Sequence, residues 1–253
     1  MLSIRIAIAT AVLSSVAAGQ GWLATGRWYV PPTRGELQYL ADFNADGFDD
    51  VVRFNGVPGS PTDWTGFRVL LNDGLGDFTT QGPLVSFPVS PDYYRPVDGQ
   101  SVRRARDVTG DGRPDVLVLQ ETSSFTQDVA LLVYPGLGGG ALGAPVPIPL
   151  VGDLTGIALG QIDADPAFEI AMVDEINFSE STRWYDWNGA SFTASAESLW
   201  LGGIGGAVVA GMVALDLDFD GDDDLVYGQF NGPRLIRLDT VAGAPVLGTV
   251  YMI

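Results

Sequence analysis

The stretch Asp42-Phe43-Asn44-Ala45-Asp46-Gly47-Phe48-Asp49-Asp50 carries an oxygen-bearing side chain at its first, third, fifth and ninth positions and glycine at its sixth. Oxygen donors at alternate positions turn inward when a short loop wraps a cation, and the glycine permits the sharp turn. The carbonyl at position seven supplies another oxygen, and a later carboxylate closes the shell. Hard oxygen ligands on a flexible loop suit Ca²⁺ better than Mg²⁺, which demands tight octahedral geometry. An EF-hand opens in the same way but needs Glu at position twelve followed by a helix. Here position twelve is Arg53, and the closing acid runs straight into Val51 and Val52. The loop therefore leads into a strand.

The pattern recurs along the chain. A second copy reads Asp107-Val-Thr109-Gly-Asp111-Gly112-Arg113-Pro-Asp115, and a fourth reads Asp216-Leu-Asp218-Phe-Asp220-Gly221-Asp222-Asp-Asp224. Between them lies an altered copy, Gln161-Ile-Asp163-Ala-Asp165-Pro166-Ala-Phe-Glu169. Position twelve of these three is Val118, Met172 and Tyr227, so none is an EF-hand. The flanks repeat as well. An apolar run follows each closing acid, and a strand entering a Gly-rich turn follows later, as in Phe67-Arg-Val-Leu-Leu-Asn72-Asp-Gly74 and Ala130-Leu-Leu-Val-Tyr134-Pro-Gly136. Each unit reads strand, acidic loop, strand, hairpin, strand, and four strands in about 55 residues is the size of one propeller blade. The expected fold is all-β: a β-propeller of four four-stranded blades at roughly 33–90, 98–152, 153–204 and 205–253, closing as a four-bladed ring or forming part of a larger one.

These units resemble the FG-GAP or VCBS repeats of integrin-alpha-type β-propellers. The likeness rests on Asp-x-Asp/Asn-x-Asp-Gly-x-x-Asp in loops one and four and on the hairpin Asn72-Asp-Gly-Leu-Gly-Asp-Phe78. It implies calcium on one rim, held between the first two strands of each blade. The ligands so implied are Asp42, Asn44, Asp46 and Asp50; Asp107, Thr109, Asp111 and Asp115; and Asp216, Asp218, Asp220 and Asp224. Carbonyls of Phe48, Arg113 and Asp222 complete the shells. Loop three departs from the pattern: Gln161 replaces the first carboxylate and Pro166 the turn glycine, while Asp163, Asp165 and Glu169 keep their oxygens. The expectation is three calcium sites and a degenerate fourth.

Composition narrows the chemistry. Thirty-one acids face 13 bases, a formal charge of −18, so a phosphate-binding nucleic-acid surface is excluded. Neither His nor Cys occurs, and every base is Arg. This removes disulfides, zinc thiolate sites, a histidine general base, a cysteine nucleophile and a lysine Schiff base. With 33 Gly and 16 Pro spread along the chain, many short strands are favoured over long helices. Gly136-Leu-Gly138-Gly-Gly-Ala141 mimics part of a dinucleotide fingerprint, but prolines at 145, 147 and 149 stand where its helix would begin. It reads as a hairpin turn.

The first residues read as a secretory signal over 1–19. Arg5 is the only charge before Arg27, an apolar run covers 6–16, and Ala17, Ala18 and Gly19 offer a cleavage site. No apolar run is long enough to span a bilayer comfortably. The mature chain, 20–253, is expected to be secreted, periplasmic or extracellular. Residues 20–30, with Trp22, Trp28 and Tyr29, are expected to form a strand that pairs with the last blade and covers its edge. Trp184, Tyr185 and Trp187, Trp64, and Tyr93-Tyr94 in a loop before Arg95 offer either sugar-stacking surfaces or ordinary strand packing. Arg103, Arg104 and Arg106 read as partners of the acidic rim. The functional expectation is a non-enzymatic binding or structural module for extracellular glycan or protein. The alternative is a propeller-based carbohydrate-active enzyme such as a polysaccharide lyase, or an accessory domain of a hydrolase.

Overall fold

β-Branched and aromatic residues follow each acidic loop, and the chain extends there as the pattern requires. The computed structural model describes residues 35–56, 64–88, 93–97, 103–122, 128–150, 152–163, 165–176, 179–194, 199–200, 209–217, 219, 221–229, 234–241 and 244–252. The expected signal over 1–19 and the closing segment 20–30 lie outside them. Every regular element among the described residues is a strand, and none contains a helix long and apolar enough to cross a membrane.

The first sheet holds β1 (Gly35–Ala41), β2 (Asp50–Gly56), β3 (Trp64–Leu71) and β4 (Thr80–Gln81) in chain order, with β5 (Val85–Ser86) also pairing with β3. The second holds β6 (Tyr93–Pro96), β7 (Val116–Glu121) and β8 (Asp128–Tyr134), and is completed by β11 (Val146–Pro149). A two-stranded ribbon, β9 (Gly136–Gly138) and β10 (Ala141–Leu142), projects between β8 and β11. In the third sheet run β12 (Asp153–Gly160), β13 (Glu169–Ile176), β14 (Ser179–Trp187) and β15 (Phe192–Ala194), with β16 (Leu199–Trp200) also on β14. The fourth contains β17 (Val209–Leu215), β18 (Asp224–Gln229), β19 (Arg234–Val241) and β20 (Ala244–Met252). All strand pairs are antiparallel, so each sheet is an up-and-down meander whose first two strands flank one acidic loop.

One expectation is corrected here. Tyr93 and Tyr94 are not in a loop: they open β6, which lies ahead of the expected boundary at residue 98. Tyr94 is buried with its ring stacked on Phe87 at 4.7 Å, so ring burial draws this short segment onto β7.

The core is continuous across the first three sheets. Phe54 stacks on Phe67 at 5.0 Å, and Phe67 meets the ring of Tyr134 edge-on at 5.0 Å, which joins sheet one to sheet two. A second cluster, including Ile162, Val173, Trp184, Met212 and Leu225, joins sheet three to sheet four. Tyr39 adds a polar link. Its hydroxyl donates to the Leu117 carbonyl at 2.7 Å and accepts the Val97 N–H at 2.9 Å, both buried. Removing that oxygen leaves a buried donor and a buried acceptor unpaired, which costs about 1–3 kcal/mol. Tyr39→Phe is therefore expected to lower the unfolding free energy by about that amount in denaturant titration; an unchanged midpoint would show that the link is dispensable.

Candidate metal centres

The ninth residue of each loop is its anchor. Asp50, Asp115, Glu169 and Asp224 are 0, 2, 3 and 1% exposed. Each accepts the backbone N–H of its own loop's second residue: Phe43, Val108, Ile162 and Leu217 respectively. Asp50 and Asp115 also reach the chain beyond the third strand. Asp50 Oδ1 takes the Asn72 N–H at 2.8 Å, and Asp115 Oδ1 takes the Gly136 N–H at 2.9 Å. One carboxylate thus fixes the start of its loop to the hairpin that follows. In loops one to three the second residue is itself a buried apolar plug.

The first carboxylate holds the turn. Asp42 accepts the N–H groups of Asp46 and Gly47, and Asp107 accepts those of Asp111 and Gly112. Gly47, Gly112 and Gly221 at position six have φ of 89°, 84° and 103°, a region L side chains rarely enter. Pro166 has no N–H to offer a carboxylate at 161. Gln161 accordingly reverses the polarity, its amide nitrogen donating to the carbonyls of Asp163 and Asp165. Position four is also left-handed, at Ala45 (φ 62°), Gly110 (φ 70°) and Phe219 (φ 64°), although only one of these is glycine.

Acids converge in two loops among the described residues. Carboxylate oxygens of Asp107, Asp111 and Asp115 lie within 4.8 Å of one another, as do those of Asp163, Asp165 and Glu169. In loop two Thr109 N–H bonds Asp115, and the Arg113 guanidinium sits 3.5 Å from Asp111 Oδ2. Loop one does not converge in this way. Asn44 turns its amide nitrogen onto Asp46 Oδ2 at 2.8 Å. Phe48, whose carbonyl was expected to point at a metal, has its ring over Gly74. In loop four, Asp218 and Asp220 lie outside the described residues. Asp216 there accepts the Phe219 N–H, and Asp222 is half-buried.

The motif reading missed Asp186 on β14. It is pushed above the usual carboxylate range by burial first, then by the charge of Asp165 and, less strongly, of Asp163. Nothing in the loop pattern pointed to it; its signal was an acid amid the aromatic residues of β14. Trp184 and Tyr185 are buried core rather than platform, and Trp187, half-buried, packs on Phe192 at 4.9 Å. Among the arginines, Arg104 pairs with Asp49 at 3.2 Å, and Arg106 lies 4.9 Å over the ring of Phe168. Arg95 is engaged by Glu121 and Asp128 beside a cleft of about 180 Å³ walled by Val97, Leu119, Leu154 and Ile157. No family model matches the chain, and no curated protein matches it.

Burial raises Asp115 to about 6 and Glu169 to about 7, against hydrogen bonds from Gly136 and Ile162 that pull them down. A folded-state value above the unfolded one means the folded chain holds the proton more tightly. That contribution is complete below the ordinary carboxylate range and is lost as pH rises through about 6–7. In chelator, the melting temperature is therefore expected to fall between pH 5 and pH 7.5. A rise over the same interval would show that these carboxylates are not held against burial.

Proposed function

We propose that the chain is an exported calcium-binding β-propeller of FG-GAP/VCBS-type repeats, acting as a binding or structural module for extracellular glycan or protein. The observation that carries the metal reading is the convergence of three carboxylates within 4.8 Å in each of two loops. In each trio one acid is buried, one half-buried and one exposed, and carboxylates gathered so closely repel one another unless a cation joins them. Side chains of Asp107, Asp111 and Asp115, and of Asp163, Asp165 and Glu169, fit a hard cation bound through oxygen. The metal's role is structural, neutralising the loop and stiffening entry to the following strand.

The blade reading is supported by how neighbouring loops meet. Position eight of one loop donates its N–H to the position-one carbonyl of the loop before it: Phe168 to Asp107 at 2.8 Å, and Asp223 to Gln161 at 2.7 Å. Position eight of loop two is Pro114, which has no N–H. There the contact is replaced by a parallel pairing of Leu40 with the 103–105 segment. A contact repeated between successive sheets is what blades arranged around one axis would make.

Extracellular calcium modules bind at about 10⁻⁴–10⁻³ M. At ~1 mM calcium, a site of 10⁻⁴ M adds about 1.4 kcal/mol of stability. Calorimetric titration of residues 20–253 with calcium is expected to show binding in that range, with a raised melting temperature. No heat and no thermal shift at millimolar calcium would overturn the metal reading.

A further inference from the structure

We propose that loop three is completed as a cation site by Asp186, an acid from β14 outside the loop, acting with Asp163, Asp165 and Glu169. The inference rests on the metal reading above and concerns which residues of this chain hold the ion. Ile170 stands opposite Tyr185 in the β13–β14 ladder, so the next step sets Asp186 beside Glu169. Asp186 also feels the charges of Asp165 and Asp163 directly. The three loop acids already lie within 4.8 Å of one another. Four carboxylates thus share one small region.

Two of their oxygens have no protein donor. Glu169 is almost wholly buried, and while Oε2 takes the Ile162 N–H, Oε1 has no hydrogen-bond partner. Asp186 Oδ1 is likewise buried and unpartnered. A buried carboxylate oxygen with no donor calls for a cation, an ordered water or a proton of its own. Two such oxygens beside two further carboxylates point to a divalent cation, which offsets the mutual repulsion once the acids have given up their protons, as water alone does not.

The same ladder step in the first two sheets falls at Leu71 and Pro135, next to Leu70 opposite Val51 and Tyr134 opposite Val116, and in the fourth at Asp239, next to Leu238 opposite Leu225. Loops one and two keep their first carboxylate, Asp42 or Asp107, and have no acid at this step; loop four has both Asp216 and Asp239. Loop three has lost the first carboxylate to Gln161, and Asp186 restores that negative charge from the neighbouring strand. Loop three then gathers four carboxylates against three in loop two, and ligand charge count raises affinity for Ca²⁺-like ions. The loop that departs most from the motif is on this account no weaker a site than loop two.

The test uses the full mature chain with calcium and with terbium, a luminescent stand-in for calcium. Trp184 and Trp187 lie within two residues of Asp186, so terbium in loop three is expected to emit on tryptophan excitation. Asp186→Asn should weaken that terbium site, and one calcium site in calorimetry, at least about tenfold. Glu169→Gln should do the same, whereas Asp111→Asn in loop two should leave the emission intact. Circular dichroism confirms that each variant is folded. If neither ion binds the wild type, the metal reading itself falls. If calcium binds but tryptophan-sensitised emission is missing, or is unmoved by Asp186→Asn, the inference about loop three falls alone.

Discussion

The buried carboxylate that ends each acidic loop is the constraint on which the rest of the described structure depends. It is placed where an ionised group is expensive. It offsets part of that cost by taking backbone N–H groups that would otherwise be buried without partners. Asp115 serves Val108, Thr109 and Gly136 at once. Loop entry, loop exit and the turn after the third strand are thereby fixed by one side chain. Burial keeps the carboxylate reluctant to ionise, and a cation in the loop removes that reluctance. Architecture and proposed metal binding are two consequences of the same group.

Local strain fits this picture. Ala45 and Phe219 adopt left-handed backbone that costs a non-glycine residue of order 1–2 kcal/mol. Such conformations persist only where the surroundings over-determine them. Here the first carboxylate pins position five or its neighbours from one side, and the ninth pins position two from the other. Phe219 is also 89% exposed, so its ring contributes nothing to packing. Its position is set by backbone geometry alone.

Much of this was legible because acidic loops and strands obey short-range rules. Spacing of Asp42, Asp46 and Asp50 located the loop, and Val51-Val52 located the strand after it. The order of strands within each sheet followed from the repeat. What escaped depends on long-range contacts. Tyr93 and Tyr94 read as loop because the segment is short; its pairing with β7, far on in the chain, makes it a strand. Asp186 belongs to no motif and acquires meaning only from the β13–β14 register. Gln161 and Pro166 looked like two independent losses. Proline removes one of the two N–H groups a first carboxylate takes, that of position six, and the Gln161 amide donates to the Asp163 and Asp165 carbonyls instead.

Amide hydrogen exchange at Val108, Thr109 and Gly136 tests the anchoring role most directly, comparing the native chain with Asp115→Asn. Asparagine keeps the shape but offers only one acceptor oxygen. The account predicts strong protection of all three amides in the native chain. In the variant, protection is lost at Gly136 or at the Val108–Thr109 pair, while the centre of β7 stays protected. Unchanged protection at all three sites would contradict it and leave the loops held by something other than their closing acid.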